Sequence, residues 1–160
     1  FNRIRNLMLL NGGLYITPDF SDFGGKGKEQ VKAVLEAVIA ASPKARVFVA
    51  CGSMGGFICH RLAADAAFAP KLSGMLLLGS FPDPDFQKSA FFKNRLPLFI
   101  GHGGGDKSSP IGCMEAFYAA IRKASPGYPV WLHRFETGAH GTPIRMTDWR
   151  LALNLMQRAN

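Results

Sequence analysis

The sequence is short of charge, of cysteine and of long apolar runs. Only 19% of its 160 residues are Asp, Glu, Lys or Arg, while 48% are hydrophobic, enough to bury a sizeable core and too apolar for a chain that stays unfolded. No apolar run approaches the roughly 20 residues that span a bilayer; the continuous ones are strand-sized. The three cysteines show no CxxC spacing. They indicate neither a disulfide framework nor a zinc site, and they favour a reducing, cytoplasmic compartment. Acidic residues are scarce as well, 11 against 19 basic ones, which leaves a net charge of +8. That charge attracts anions in general, yet Arg3, Arg5, Lys26, Lys44, Lys88, Arg122 and their like are scattered. No basic arm or aromatic-basic motif marks a nucleic-acid site, and a solvated basic surface is the simpler expectation. Repeats, low-complexity tracts and linkers are missing too, so residues 1–160 read as a single domain. The start carries no signal peptide, and it opens on Phe1 without an initiator methionine, which leaves room for an upstream segment.

What is present alternates between two periodicities. Lys28 to Ala41 repeats Val31, Val34, Leu35, Val38 and Ile39 at helical spacing and stops at Ser42-Pro43. Helices are also expected over Ile4 to Leu10, Gly55 to Ala67 (inner stripe Phe57, Ile58, Leu62 and Ala66), Met114 to Ala124, and Thr147 to Gln157, the last with Thr147 as N-cap. Between them lie strand-sized apolar runs: Leu14 to Thr17, Arg46 to Ala50, Leu72 to Leu78, Leu96 to Ile100 and Val130 to Phe135. Strands that alternate with helices imply crossover connections and a mostly parallel sheet, with helices on both faces, in the α/β class.

Chemistry in such sheets collects at the carboxyl ends of the strands. There the sequence places Cys51-Gly52-Ser53-Met54-Gly55-Gly56 between an apolar run and a helix. A strand that turns at once into a helix can hold a serine hydroxyl clear of the sheet, provided its neighbours are small. A serine nucleophile needs a histidine base and a carboxylate to orient it. Of the four histidines, His60 lies within a helix, as a packed or solvent-facing residue, and His133 within a strand. Only His102 and His140 follow strands. The carboxylates at strand ends are Asp83, Asp85, Asp106 and Glu136. Ser53, Asp106 and His140 follow three different strands in the order Ser, Asp, His; Asp85 is the rival acid.

"ACGSMGG" resembles the nucleophile elbow of the α/β-hydrolases. "LPLFIGHGGGDKSSP" resembles their acid-bearing segment, "FETGAHG" the loop with the catalytic histidine, and "YITPDFSDFG" the segment before the elbow unit. The arrangement is similar to the small carboxylesterase, phospholipase and dienelactone-hydrolase-like branches. Cys51 departs from the family's usual glycine, and the family's early strands are missing before Leu14. The resemblance implies a serine hydrolase that cleaves carboxylic esters through an acyl-enzyme, with Ser53 as nucleophile, His140 as base, Asp106 as its orienting acid and the Met54 N–H as one oxyanion donor. It implies a small-molecule ester substrate, no cofactor and no metal. His102 is then structural, satisfying backbone in its turn, and Cys51 packs the elbow; Cys59 and Cys113 read as core residues on helix faces. The run His102 to Gly105 follows the nucleophile and so does not serve as the oxyanion loop. A second donor is expected from an upstream loop, with Asn11-Gly12-Gly13 as a substitute. Phe86, Phe91 and Phe92 are expected as an apolar rim over the site or as the core of a short helix. Two alternatives stand beside this one: a non-catalytic or truncated binding domain of the same fold, and the same triad acting on thioesters or peptides.

Overall fold

The computed structural model describes residues 2–159. Four strands form one parallel sheet: β1 (Phe48–Gly52), β2 (Gly74–Leu78), β3 (Leu98–Gly103) and β4 (Val130–Phe135), side by side in chain order. Seven helices surround them: α1 (Asn2–Leu10), α2 (Gly25–Ala41), α3 (Gly56–Ala64), the single turn α4 (Ala90–Lys93), α5 (Ile111–Ala124), α6 (Thr142–Met146) and α7 (Trp149–Arg158).

Strand order equal to chain order fixes where the helices go. Parallel crossovers share one hand, so three steps in one direction put α3, α4 and α5 on the same face. The core confirms this. On that face Met75, Leu77, Leu98 and Ile100 pack with Ile58, Leu62, Phe91, Met114, Phe117 and Ile121, and with Val31 of α2. On the other face Leu76, Leu78 and Phe99 meet Ile4 of α1 and Trp149, Ala152 and Met156 of α7. Successive strand residues thus alternate between two layers, and β2 is buried along its whole length. Each large side chain fully buried this way contributes roughly 1.5–3 kcal/mol.

Several boundaries differ from expectation for identifiable reasons. Leu14 to Thr17 is not a strand: Leu14 is 66% exposed and Ile16 38% exposed, and no ladder forms there. Strand propensity is fulfilled only where a neighbour supplies hydrogen bonds and cover. Asn11-Gly12-Gly13 instead closes α1. Gly12 takes a left-handed φ of +69°, and the Gly13 N–H donates to Met8 O at 2.8 Å. The Asn11 and Gly13 N–H groups are thus both engaged with Met8 O within the turn. Asp148, not Thr147, caps α7, its Oδ1 accepting from the Leu151 N–H at 3.0 Å. Thr147 is drawn back to α6, where its hydroxyl donates to Pro143 O at 2.6 Å.

α3 is buried on more than one side, with Cys59, His60 and Ala63 inside, whereas Phe57 is 40% exposed. Phe86 and Phe91 are core residues, and Phe92 packs beside them; they form no rim. Cys113 is exposed rather than core.

The cysteine expectation is overturned. Cys51 and Cys59 form a disulfide, with Cα atoms 6.3 Å apart. Strand-to-turn-to-helix geometry folds residues eight apart back onto each other, a pairing that a search for CxxC does not catch. With it goes the ground for favouring a reducing compartment. No helix among the described residues is long and apolar enough to cross a membrane.

Candidate active site

The site lies at the carboxyl ends of β1, β2, β3 and β4. Ser53 is the apex between β1 and a turn of 3₁₀ helix, Ser53–Gly55, that runs into α3. Its φ of +50° is in the left-handed region, unusual for a residue with a side chain. The glycines around it do different jobs from those the motif suggests. A Cβ on Gly55 would stand 3.8 Å from Cys51 Cβ, an ordinary contact, so cysteine is tolerated where glycine is usual. The close approach is at Gly56, where any Cβ would overlap the Ser80 hydroxyl.

Ser53 Oγ and His140 Nε2 are 2.7 Å apart, and His140 Nδ1 and Asp106 Oδ2 are 2.7 Å apart. A carboxylate only accepts, so Nδ1 carries the proton and Nε2 is left as the acceptor of the Ser53 hydroxyl proton. The Asp106 side chain is fully buried, and the His140 side chain keeps 31% of its exposure. Burial alone would raise the Asp106 carboxyl. The Ser109 N–H at 3.0 Å, the His140 ring and the Ser108 N–H at 2.8 Å outweigh it and hold the acid below the ordinary carboxylate range.

His140 arrives on the loop after β4, and glycine makes room for it. Gly79, at the end of β2, has a φ of +58°, and a Cβ there would stand 2.6 Å from His140 O. A Cβ on Gly103 would overlap Gly138 O of the same loop.

The other candidates are occupied elsewhere. His102 is fully buried, and its Nε2–H donates to Ser109 O at 2.6 Å, so it supports the acid loop. His60 Nε2–H donates to Phe81 O at 3.0 Å, and burial lowers its pKa against the opposing pull of Phe81 O and Asp83. His133 lies on β4 with its ring against Phe135. Asp85 pairs with Lys88 at 2.6 Å in an exposed turn, and Glu136 pairs with Arg134 at 2.8 Å. Met54 follows the apex at the start of the helical turn, its side chain 48% exposed. Sequence reasoning missed Ser80, fully buried, whose hydroxyl donates to Ser53 O at 2.9 Å. It also missed that Phe57, just after the elbow, stacks on Phe81, just after β2, with ring centroids 5.7 Å apart. A lone serine or phenylalanine after a strand carries no motif. Among the described residues no group of three or more His, Cys, Asp or Glu could hold a metal ion.

No family model matches the chain, and no curated protein matches it in sequence. Solved structures do. An α/β serine hydrolase homologue from Coxiella burnetii superposes with a TM-score of 0.58 at 22% identity, over 91% of this chain and 64% of that one. Esterase 2 of Thermogutta terrifontis gives 0.56 at 17% identity, over 84% of this chain and 62% of the esterase. Acyl-protein thioesterase 2 of Zea mays gives 0.55 at 17% identity, over 95% and 77% respectively. The fold is that of the α/β-hydrolases. The chain spans less than two thirds of the length of the Coxiella and Thermogutta proteins.

Proposed function

We propose that this chain is a serine hydrolase that cleaves carboxylic esters of small molecules through a Ser53–His140–Asp106 triad. The observation that carries the reading is the pair of 2.7 Å contacts joining Ser53, His140 and Asp106 in series, on a serine held at positive φ. Ser53 Oγ attacks the acyl carbon as its proton passes to His140 Nε2. The imidazolium, oriented and stabilised by Asp106, returns that proton to the leaving alkoxide, giving an acyl-enzyme. Water then repeats the sequence and releases the acid. Met54 N–H, at the start of the helical turn, is the oxyanion donor assigned to this chain. This chemistry calls for no metal or organic cofactor.

The test is a fluorophosphonate probe followed by peptide mapping. The expected adduct is on Ser53, and Ser53→Ala takes none; an adduct elsewhere, or none, refutes the triad. The phosphonylation of the Thermogutta esterase by cyclosarin makes this class of probe apt. A thioester substrate is the second reading, favoured by the likeness to a thioesterase that this chain covers most fully of the three. Matched p-nitrophenyl esters and acyl thioesters separate the two. Equal hydrolysis by wild type and Ser53→Ala would leave a binding domain.

A further inference from the structure

His140 joins the nucleophile to the acid on the open side of the site, and a second path joins them underneath. Ser80 Oγ donates to Ser53 O at 2.9 Å, Ser109 Oγ donates to Ser80 O at 2.9 Å, and Ser109 N–H donates to Asp106 Oδ1 at 3.0 Å. His102 Nε2–H holds Ser109 O at 2.6 Å. Ser80, Ser109 and His102 are no more than 2% exposed. The space for the Ser80 hydroxyl exists because position 56 is glycine. None of these side chains touches the Ser53 hydroxyl or the His140 ring, so none enters the proton transfers above.

We infer that Ser80, braced by Ser109, is a positioning residue that holds the Ser53 backbone at its left-handed φ and sets the distance between nucleophile and acid. This rests on the triad reading of Ser53, His140 and Asp106. The physical case is local. A serine at positive φ returns to an ordinary conformation unless its surroundings fix both of its peptide units. The Ser53 carbonyl belongs to one of those units; it accepts the Gly56 N–H of the helical turn and, as its one side-chain donor among the described residues, the Ser80 hydroxyl. Without the Ser80 hydroxyl the carbonyl keeps only the Gly56 N–H of the helical turn, and the apex relaxes toward water or toward the helix axis. A small displacement of Oγ relative to His140 Nε2 is costly, since attack depends on near-ideal alignment.

The experiment compares wild type with Ser80→Ala in three measurements: the bimolecular rate and end-point of fluorophosphonate labelling, kcat and KM on p-nitrophenyl butyrate, and hydrogen exchange of the peptide covering residues 48–58. Ser80→Ala is expected to label about tenfold more slowly but to the same end-point, to lose about tenfold in kcat at unchanged KM, and to exchange faster at the elbow. Partial unfolding would lower the end-point and not the rate of the folded fraction, so the two effects are separable. Labelling within about twofold of wild type together with unchanged exchange overturns the inference. If wild type itself takes no label, the hydrolase reading fails, while the exchange measurement still decides whether Ser80 holds the elbow. Should Ser80→Ala not fold, Ser109→Ala makes the same test from the other end. It keeps the Ser80 hydroxyl and removes only its brace, so labelling should slow about threefold; an unchanged rate overturns the inference.

Discussion

Ser53 Oγ and His140 Nε2 stand 2.7 Å apart although 87 residues separate them in the chain. Two features bring them together. The β1-to-α3 turn lifts Ser53 above the sheet, and the glycines ending β2 and β3 let the loop after β4 cross over their backbone. Each feature is a matter of missing side-chain volume, and neither involves an attraction between the two residues. The contact therefore depends on residues that take no part in chemistry.

On the proposed triad, Ser53→Ala should lower kcat by roughly a million-fold, and Asp106→Asn by roughly ten-thousand-fold with KM little changed. The asparagine keeps an oxygen for the Ser108 and Ser109 N–H groups, yet it presents an amide that donates toward His140 and favours the wrong tautomer. Steady-state kinetics on p-nitrophenyl butyrate measure both. An Asp106→Asn variant with wild-type kcat would remove Asp106 from the triad.

The disulfide predicts a thiol count. Native protein should react with one equivalent of a maleimide, at Cys113, and reduced, unfolded protein with three. The bond closes a short loop around Ser53, between residues eight apart. Replacing both partners by alanine should therefore lower stability by about 2–3 kcal/mol in urea denaturation. Three reactive thiols in the native, unreduced protein would show that the bond is not formed.

Asp65 gives a pH signature. Its carboxylate lies 2.6 Å from Lys28 Nζ and 2.9 Å from Lys32 Nζ, pinning α2 to the end of α3. The hydrogen bonds from Lys28 and then Lys32 hold its pKa far below the usual carboxylate range. A carboxyl depressed in the folded state stabilises fully above its unfolded pKa, about 3.9, and that stability drains away as pH falls toward the folded value. Asp65→Asn should thus cost about 1–3 kcal/mol at pH 7, and the gap from wild type should narrow below about pH 4. Parallel urea melts at pH 7 and pH 2.5 test this, and a gap of constant size would contradict it.

The sheet and most helices were legible because they are written in periodicity. Leu72 to Leu78 and Val130 to Phe135 are strand-length segments rich in apolar residues, and Val31, Leu35 and Ile39 recur at helical spacing. The three residues that the elbow, acid and histidine motifs single out do converge, since each motif ties a residue type to one end of the sheet. What stayed illegible depends on contacts between distant segments. Leu14 to Thr17 has strand composition but no neighbour to pair with. Thr147 and Asp148 compete for one cap, and only the position of Pro143 decides between them. The Cys51–Cys59 bond requires knowing that the elbow doubles back, and Ser80 matters only because Gly56 sits against it.

Gly79→Ala is a sharp test of how the histidine is positioned. Gly79 has a φ of +58°, where an alanine is strained, and the added methyl would stand 2.6 Å from His140 O. The strain and the crowding together should cost about 1–3 kcal/mol of stability. The larger effect falls on activity. The obstructing atom is the backbone of His140 itself, so the loop must lift and carry Nε2 away from Ser53. Fluorophosphonate labelling of the folded fraction should slow by about a hundredfold, well beyond what the change in melting accounts for. An alanine variant that melts lower yet labels at the wild-type rate would show that the loop accommodates the methyl without moving the ring.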